Sequence, residues 1–225
     1  MPDAAEVREL SAAQFIAELD TLTWIYAHAM AAPAAELHGR LAIMERHAGH
    51  PGFRSLVAVP HLPGAPQLPG APHSSGAGHG SGATASPAAG PVGFAYGFHG
   101  APGQWWHDVV YGTLAAERGR AAADWWLGDC FEVAEVHVHP EHQGRGAGRA
   151  MIDRLTTGLR ERTAVLSTPH GHTRAHRLYR SLGFGGLLPS FSFPGASSSY
   201  AIMGAVLPLP GARSAAARSA SPSHR

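Results

Sequence analysis

The stretch VAEVHVHPEHQGRGAGRAMIDRL, Val133 to Leu155, decides how this chain is read. An alternating run ends near Pro140, a glycine-spaced turn follows from Gln143 to Gly148, and a helical pattern then begins with Met151, Leu155 and Leu159 on one face. A strand-turn-helix of this kind presents unpaired backbone N–H groups at the positive end of a helix, where a phosphate is favoured. The absence of side chains at Gly144, Gly146 and Gly148 lets an anion approach the backbone closely, and Arg145 and Arg149 add positive charge. The turn is not a dinucleotide fingerprint, because the third glycine of G-x-G-x-x-G is replaced by Arg149. Nor is it a Walker A loop, since the chain has no lysine.

A second stretch, residues 172–184 (HTRAHRLYRSLGF), carries Ala175, Leu178 and Leu182 as a helical stripe, with Tyr179, Gly183 and Phe184 beside it. Together, Gln-x-x-Gly-x-Gly after a Val-x-Pro strand end and A-x-x-L-Y-x-x-x-G-F downstream resemble the two motifs of the GCN5-related N-acetyltransferases, the GNAT family. The resemblance implies an α/β (α+β) fold with a mixed, mostly antiparallel sheet flanked by helices. It also implies acetyl-CoA as the acetyl donor and a primary amine as acceptor, with direct transfer in a ternary complex. By the same resemblance the backbone of Val136, His137 and Val138 takes the acetyl and pantetheine end. The pyrophosphate falls to Gln143, Gly144, Arg145, Gly146, Ala147, Gly148 and Arg149, with His172 where many members carry asparagine. Tyr179 protonates the departing sulfur. Glu132 falls where histone acetyltransferases of the family carry a strand glutamate that serves as base. Glu135 is the other candidate; because odd and even positions of a strand face opposite sides, only one of the two can face the cleft unless a bulge intervenes. Ser167 stands where enzymes acetylating ribosomal-protein N-termini carry a glutamate base, which argues against that acceptor.

The remaining chain reads as alternating elements. A strand is expected at Glu6–Leu10, a helix at Ser11–Met30 with Ser11 as N-cap, and a second helix at Ala34–Ala48. Strands at Phe53–Val59 and Val92–Phe98 flank Pro60–Pro91, which holds 14 Gly and Pro in 32 residues and reads as a disordered insertion across a hairpin. One or two helices are expected in Gly103–Gly128. The rest comprises a strand at Phe131–His139, a helix at Gly146–Arg162, a strand at Ala164–Ser167, a helix at Thr173–Leu182, and strands at Gly186–Phe193 and Tyr200–Leu207. One domain over residues 1–207 and a disordered tail at 208–225 complete the reading. Trp105, Trp106, His107 and Asp108 follow the strand that neighbours the cofactor strand. They read as acceptor-pocket residues or, with the same tryptophans, as a lid or dimer contact.

Composition sets the outer limits. The chain has 225 residues, 17 basic and 16 acidic, for a net charge of +1, which argues against a nucleic-acid partner held by bulk charge. Residues 141–180 nevertheless hold 8 Arg against 3 acids, and residues 101–140 hold 2 Arg against 6 acids. This asymmetry suits a polyanionic donor beside a cationic amine, or simply two solvated faces. Cys130 is the single cysteine and reads as a small buried side chain, not a nucleophile. The N-terminal residues carry acids without an apolar core, and no apolar run is long enough to span a membrane, so a cytoplasmic protein without a membrane partner is expected. No metal is expected, although His137, His139 and His142 form H-x-H-x-x-H and leave a His-cluster metalloprotein as one alternative. A non-catalytic acyl-CoA-binding sensor is the other. The acceptor is a small-molecule or peptide amine, and a homodimer is left open.

Overall fold

In the computed structural model, residues 5–60, 90–196 and 198–211 are described. The expected disordered insertion and tail therefore lie largely outside the described residues. Seven strands form one sheet in the order β1-β2-β3-β4-β5-β7-β6. They are β1 (Glu6–Leu10), β2 (Arg54–Val59), β3 (Gly93–Gly100), β4 (Cys130–Val138), β5 (Thr163–Pro169), β6 (Gly185–Phe191) and β7 (Tyr200–Val206). Every neighbouring pair is antiparallel except β4 and β5. The fold is thus the mixed, mostly antiparallel sheet with flanking helices that the sequence predicts.

One face of the sheet carries α1 (Ala12–Ala17), α2 (Leu19–Met30) and α3 (Ala34–His47), packed around Phe15, Leu22, Ile25, Met44, Phe94 and Phe98. Farther along the same face lie α4 (Trp105–Arg118) and α5 (Arg120–Leu127), which bury Val110, Leu114 and Leu127 against Val165 and Ile202. The opposite face carries α6 (Ala147–Thr156) and α7 (Arg174–Ser181), with Met151, Leu155, Tyr179 and Leu182 against Phe131, Val133 and Leu166. Among the described residues no helix is long and apolar enough to cross a membrane.

Two expected helices differ in extent. Residues 11–30 form two helices broken at Glu18; Ser11 opens the first with a capping box, its hydroxyl accepting from the Gln14 N–H while the Gln14 side chain accepts from the Ser11 N–H. The helix expected to reach Arg162 ends at Thr156. Thr157 is extended and Gly158 takes φ +74°, while the Thr156 and Thr157 hydroxyls donate to the carbonyls of Ile152 and Asp153. Leu159 still packs against the core from the following loop.

The register between β3 and β4 positions the site. Tyr96 opposes Glu135 and Gly97 opposes Val133, so Ala134 is an extra residue on β4. Only glycine fits opposite this bulge: a Cβ on Gly97 would stand 2.3 Å from the Glu132 carbonyl oxygen and 2.4 Å from the Phe131 ring. Gly97→Ala is therefore expected to destabilise the fold by about 1–3 kcal/mol, the usual cost of overpacking. Thermal unfolding checks this, and an unchanged midpoint would contradict the assigned crowding.

Candidate active site

Pairing between β4 and β5 extends only from Cys130–Glu132 to Thr163–Val165. Beyond Glu132 the two strands diverge, so the facing edge of β4 has no strand partner among the described residues. The slot opens into a cavity of about 970 Å³ whose wall includes Glu132, Glu135, Val136, Val138, Gln143, Thr168 and Tyr179. A second cavity of about 290 Å³ adjoins it over the glycine turn, lined by Gly144, Gly146, Ala147, Gly148, Arg149 and Arg174. Val136, Val138, Gln143 and Tyr179 line both.

The turn has the geometry that suits an anion. Gly144 and Gly146 take φ +80° and +90°, which a side chain would strain, and Gly146 caps α6 in the left-handed region. The first intrahelical bond runs from the Ala150 N–H to the Gly146 carbonyl, leaving the earlier amides of α6 without helical partners. Gln143 ties the turn to the strand: its Nε2 donates to the Val138 carbonyl at 3.0 Å, and Arg174 Nη1 donates to its Oε1 at 3.4 Å. Arg149 donates to the Ser181 hydroxyl, which anchors its guanidinium beside the cradle.

Because of the bulge at Ala134, Glu132 and Glu135 face the same side of the sheet. Glu132 opposes Phe98 and Glu135 opposes Tyr96, both on the α1–α3 face. The bulge is the stated condition under which both carboxylates can face the cleft, and it is met here. Their environments differ. Glu135 accepts from Arg40 Nη1 at 2.7 Å and is hydrogen-bonded to His137. Burial alone would push its pKa up, but the His137 ring and the Arg40 guanidinium outweigh burial and hold it below the ordinary carboxylate range. Glu132 is 4% exposed and its Oε2 has no hydrogen-bond partner. Burial, reinforced by the charge of Glu135, pushes its pKa up to about 8. Two carboxyl groups on one wall are thus driven apart, one fixed as an anion and one able to exchange a proton near neutrality.

That difference has a stability consequence. The carboxyl of Glu132 ionises near the ordinary 4.5 in the unfolded chain and near 8 in the folded one. Between those values the unfolded state binds fewer protons, so stability falls as pH rises, by on the order of a few kcal/mol across the window. Glutamine carries no such penalty. The thermal midpoint of Glu132→Gln should match the parent near pH 4.5 and exceed it at pH 8 and above; a gap that does not widen with pH would contradict the raised pKa.

Tyr179 faces the opposite side, with Leu166 and Val133. It is 7% exposed, and burial, with the Glu135 charge second, raises its pKa, so the phenol keeps its proton at neutral pH. Other expected residues are distributed unevenly. Trp105 and Trp106 line the large cavity; Trp105 is 59% exposed with its ring 5.4 Å from Phe193, and Trp106 Nε1 donates to the Ser167 hydroxyl at 3.4 Å. His107 and Asp108 do not line it. Buried His107 contacts the Leu127 carbonyl at 3.1 Å, and the Asp108 carboxylate accepts from the Gly103 N–H, so both serve the local fold. Expecting them in the pocket is corrected by these contacts, which turn His107 into the core and draw the Asp108 carboxylate back to the loop before α4.

His172 is exposed before α7 and lines neither cavity; Arg174 lies beside the cradle instead. The Arg145 residue is also exposed and outside both cavities. His137, His139 and His142 do not converge: His137 pairs with Glu135, His139 stacks on Trp24 at 4.9 Å, and His142 lines the smaller cavity. Among the described residues no group of three His, Cys, Asp or Glu is arranged to hold a metal. Cys130 is buried, with its thiol pushed up to about 12 by burial and then Glu132, so it stays protonated. Sequence reasoning missed Arg40 and His47. His47 Nδ1 lies 3.1 Å from the Tyr96 hydroxyl, and burial, with His50 beside it, lowers its pKa to about 4. Only the packing of α3 over the bulge brings them to the wall, and no local pattern announces it.

Comparison with known proteins gives concordant matches. A family model described as "Acetyltransferase (GNAT) family" matches residues 90–184. The chain is 41% identical over 136 residues to GCN5-like protein acetyltransferase Rv2170 of Mycobacterium tuberculosis, a match covering 56% of this chain and 66% of that one. Arabidopsis thaliana NAA60 in complex with a bisubstrate analogue superposes with a TM-score of 0.55 at 13% identity, over 90% of this chain and 99% of that one. The structure of yncA from Salmonella typhimurium with its cofactor acetyl-CoA superposes with a TM-score of 0.50 at 20% identity, over 90% and 94%. These two likenesses concern the fold.

Proposed function

Because the chain belongs to the GNAT acetyltransferase family, we propose that it moves an acetyl group from acetyl-CoA to a primary amine by direct transfer in a ternary complex. The observation that carries this reading is the slot between β4 and β5. It sets an ionisable carboxyl with an unpartnered oxygen on one face of the sheet and a buried phenol on the other, with the glycine cradle adjoining. The cradle fits a pyrophosphate: two glycines in left-handed conformations, free helix-terminal amides, and the cations Arg149 and Arg174 at its wall. Acetyl-CoA supplies a thioester already activated toward an amine.

The protein's own groups then have defined tasks. An amine reaching the cavity as an ammonium ion must lose a proton before it can attack, and Glu132, with a pKa near 8, accepts it. Glu135 remains an anion held by Arg40 and His137, and keeps the positive acceptor favourable beside the slot. The slot-facing edge of β4 at Val136–Val138, which has no strand partner among the described residues and whose Val138 carbonyl accepts from Gln143, supplies its remaining backbone groups to the thioester end. As the amine nitrogen bonds to the acyl carbon and the carbon–sulfur bond breaks, the Tyr179 hydroxyl gives its proton to the sulfur. Trp105 and Trp106 wall the acceptor side.

Tyr179→Phe isolates the acid. It is expected to lower kcat by about 10²-fold, within the usual range for a general acid, with acetyl-CoA affinity unchanged. Steady-state kinetics with a screened amine acceptor, alongside calorimetry, checks both quantities. A kcat equal to the parent's would remove Tyr179 from the mechanism.

A further inference from the structure

Among the described residues, two buried side-chain oxygens have no hydrogen-bond partner, Glu132 Oε2 and Thr168 Oγ1. Both lie in the wall of the same cavity, on the two strands that bound the slot. Glu132 has a task in the reading above, whereas Thr168 has none. A buried hydroxyl without a partner is destabilising, so its retention on a central strand calls for a ligand or water to meet it.

The side it faces follows from β5. Ala164 and Leu166 pack on the α6–α7 face and Val165 on the other, so alternation puts Thr168 on the face of Tyr179. Its backbone opposes Ala201 in β7, so the sheet fixes where the hydroxyl stands. Thr168 is 2% exposed and shares its cavity with Gln143 at the cradle end and Tyr179 at the reacting end. Between a pyrophosphate on the cradle and a thioester at Tyr179 runs the pantetheine arm, whose two amides offer both donors and acceptors.

We propose that the Thr168 hydroxyl is a binding group for the amide-bearing arm of the acyl-CoA donor, making a hydrogen bond with it as the arm passes through the slot. This rests on the acetyltransferase reading of the site. Thr168→Val tests it, because valine keeps the shape and β-branching and deletes only the hydroxyl. Acetyl-CoA is titrated calorimetrically into the parent, Thr168→Val and Thr168→Ser, and the thermal midpoint of each unliganded protein is measured. The dissociation constant is expected to rise about tenfold in the valine variant, as for loss of one hydrogen bond, and to return close to the parent's in the serine variant. The midpoint of the valine variant should equal or exceed the parent's, since an unmet polar group has gone. Parent-like affinity in Thr168→Val would overturn the proposal and leave the hydroxyl to water. A lowered midpoint would overturn it too, by revealing a structural partner. No binding by the folded parent would instead sink the acetyltransferase reading, and this proposal with it.

Discussion

Glu132→Gln is expected to lower kcat by about 10²- to 10⁴-fold, the range for removing a general base, while acetyl-CoA binds as in the parent. The size follows from the geometry: Oε2 is the only buried carboxylate oxygen without a partner among the described residues, and it stands at the last paired position before the strands part. Glutamine has the same shape but cannot accept the proton. The pH dependence carries the same signature. A base must be ionised to act, so kcat/KM of the parent should rise with pH up to about 8, where the Glu132 carboxyl loses its proton, and level off above. That limb should vanish in the variant. Glu135→Gln makes a contrasting case, because Glu135 is already an anion at neutral pH and its loss should leave a rising limb in place, moved to lower pH because the Glu135 charge no longer raises the pKa of Glu132. A Glu132→Gln enzyme with parental kcat and pH profile would mean that the amine loses its proton to solvent.

The second large effect is expected at Gly146. Gly146→Glu should weaken acetyl-CoA binding by at least about 10²-fold, because a carboxylate would stand where the helix-terminal amides meet a doubly charged pyrophosphate, and charge-assisted hydrogen bonds are worth about 1.5–3 kcal/mol each. Gly146 takes φ +90°, so any side chain strains the turn, and Gly146→Ala is the proper control. Nothing lies within 4 Å of a Cβ built there, so alanine adds strain without collision. Alanine should cost much less affinity than glutamate. Equal losses in the two variants would assign the effect to backbone conformation and not to an anion at the cradle.

Much of this arrangement is legible in the sequence. The Gln143–Gly148 turn, the Ala175–Phe184 stripe and the strand at Glu6–Leu10 all stand where local pattern places them. The bulge is not legible. The alternation of Glu135 to Val138 slips at the apolar pair Val133-Ala134, but an alanine fits either face of a strand, so the extra residue shows plainly only in the register against β3, where it turns Glu132 and Glu135 to the same side. His107 and Asp108 mislead because they are adjacent to Trp105 and Trp106 in the chain, while contacts the sequence does not announce, to the Leu127 carbonyl and the Gly103 N–H, take them out of the pocket. The charge asymmetry is partly incidental. Of the arginines between residues 141 and 180, Arg149 and Arg174 line the cradle, whereas Arg154 pairs with Glu9 and Arg162 lies over the Trp125 ring.

Calorimetric titration of acetyl-CoA into the parent, Gly146→Glu and Gly146→Ala decides whether the glycine turn holds the acetyl donor. Micromolar binding by the parent, loss of binding in the glutamate variant and retention in the alanine variant are expected. A folded parent that does not bind acetyl-CoA would contradict that role.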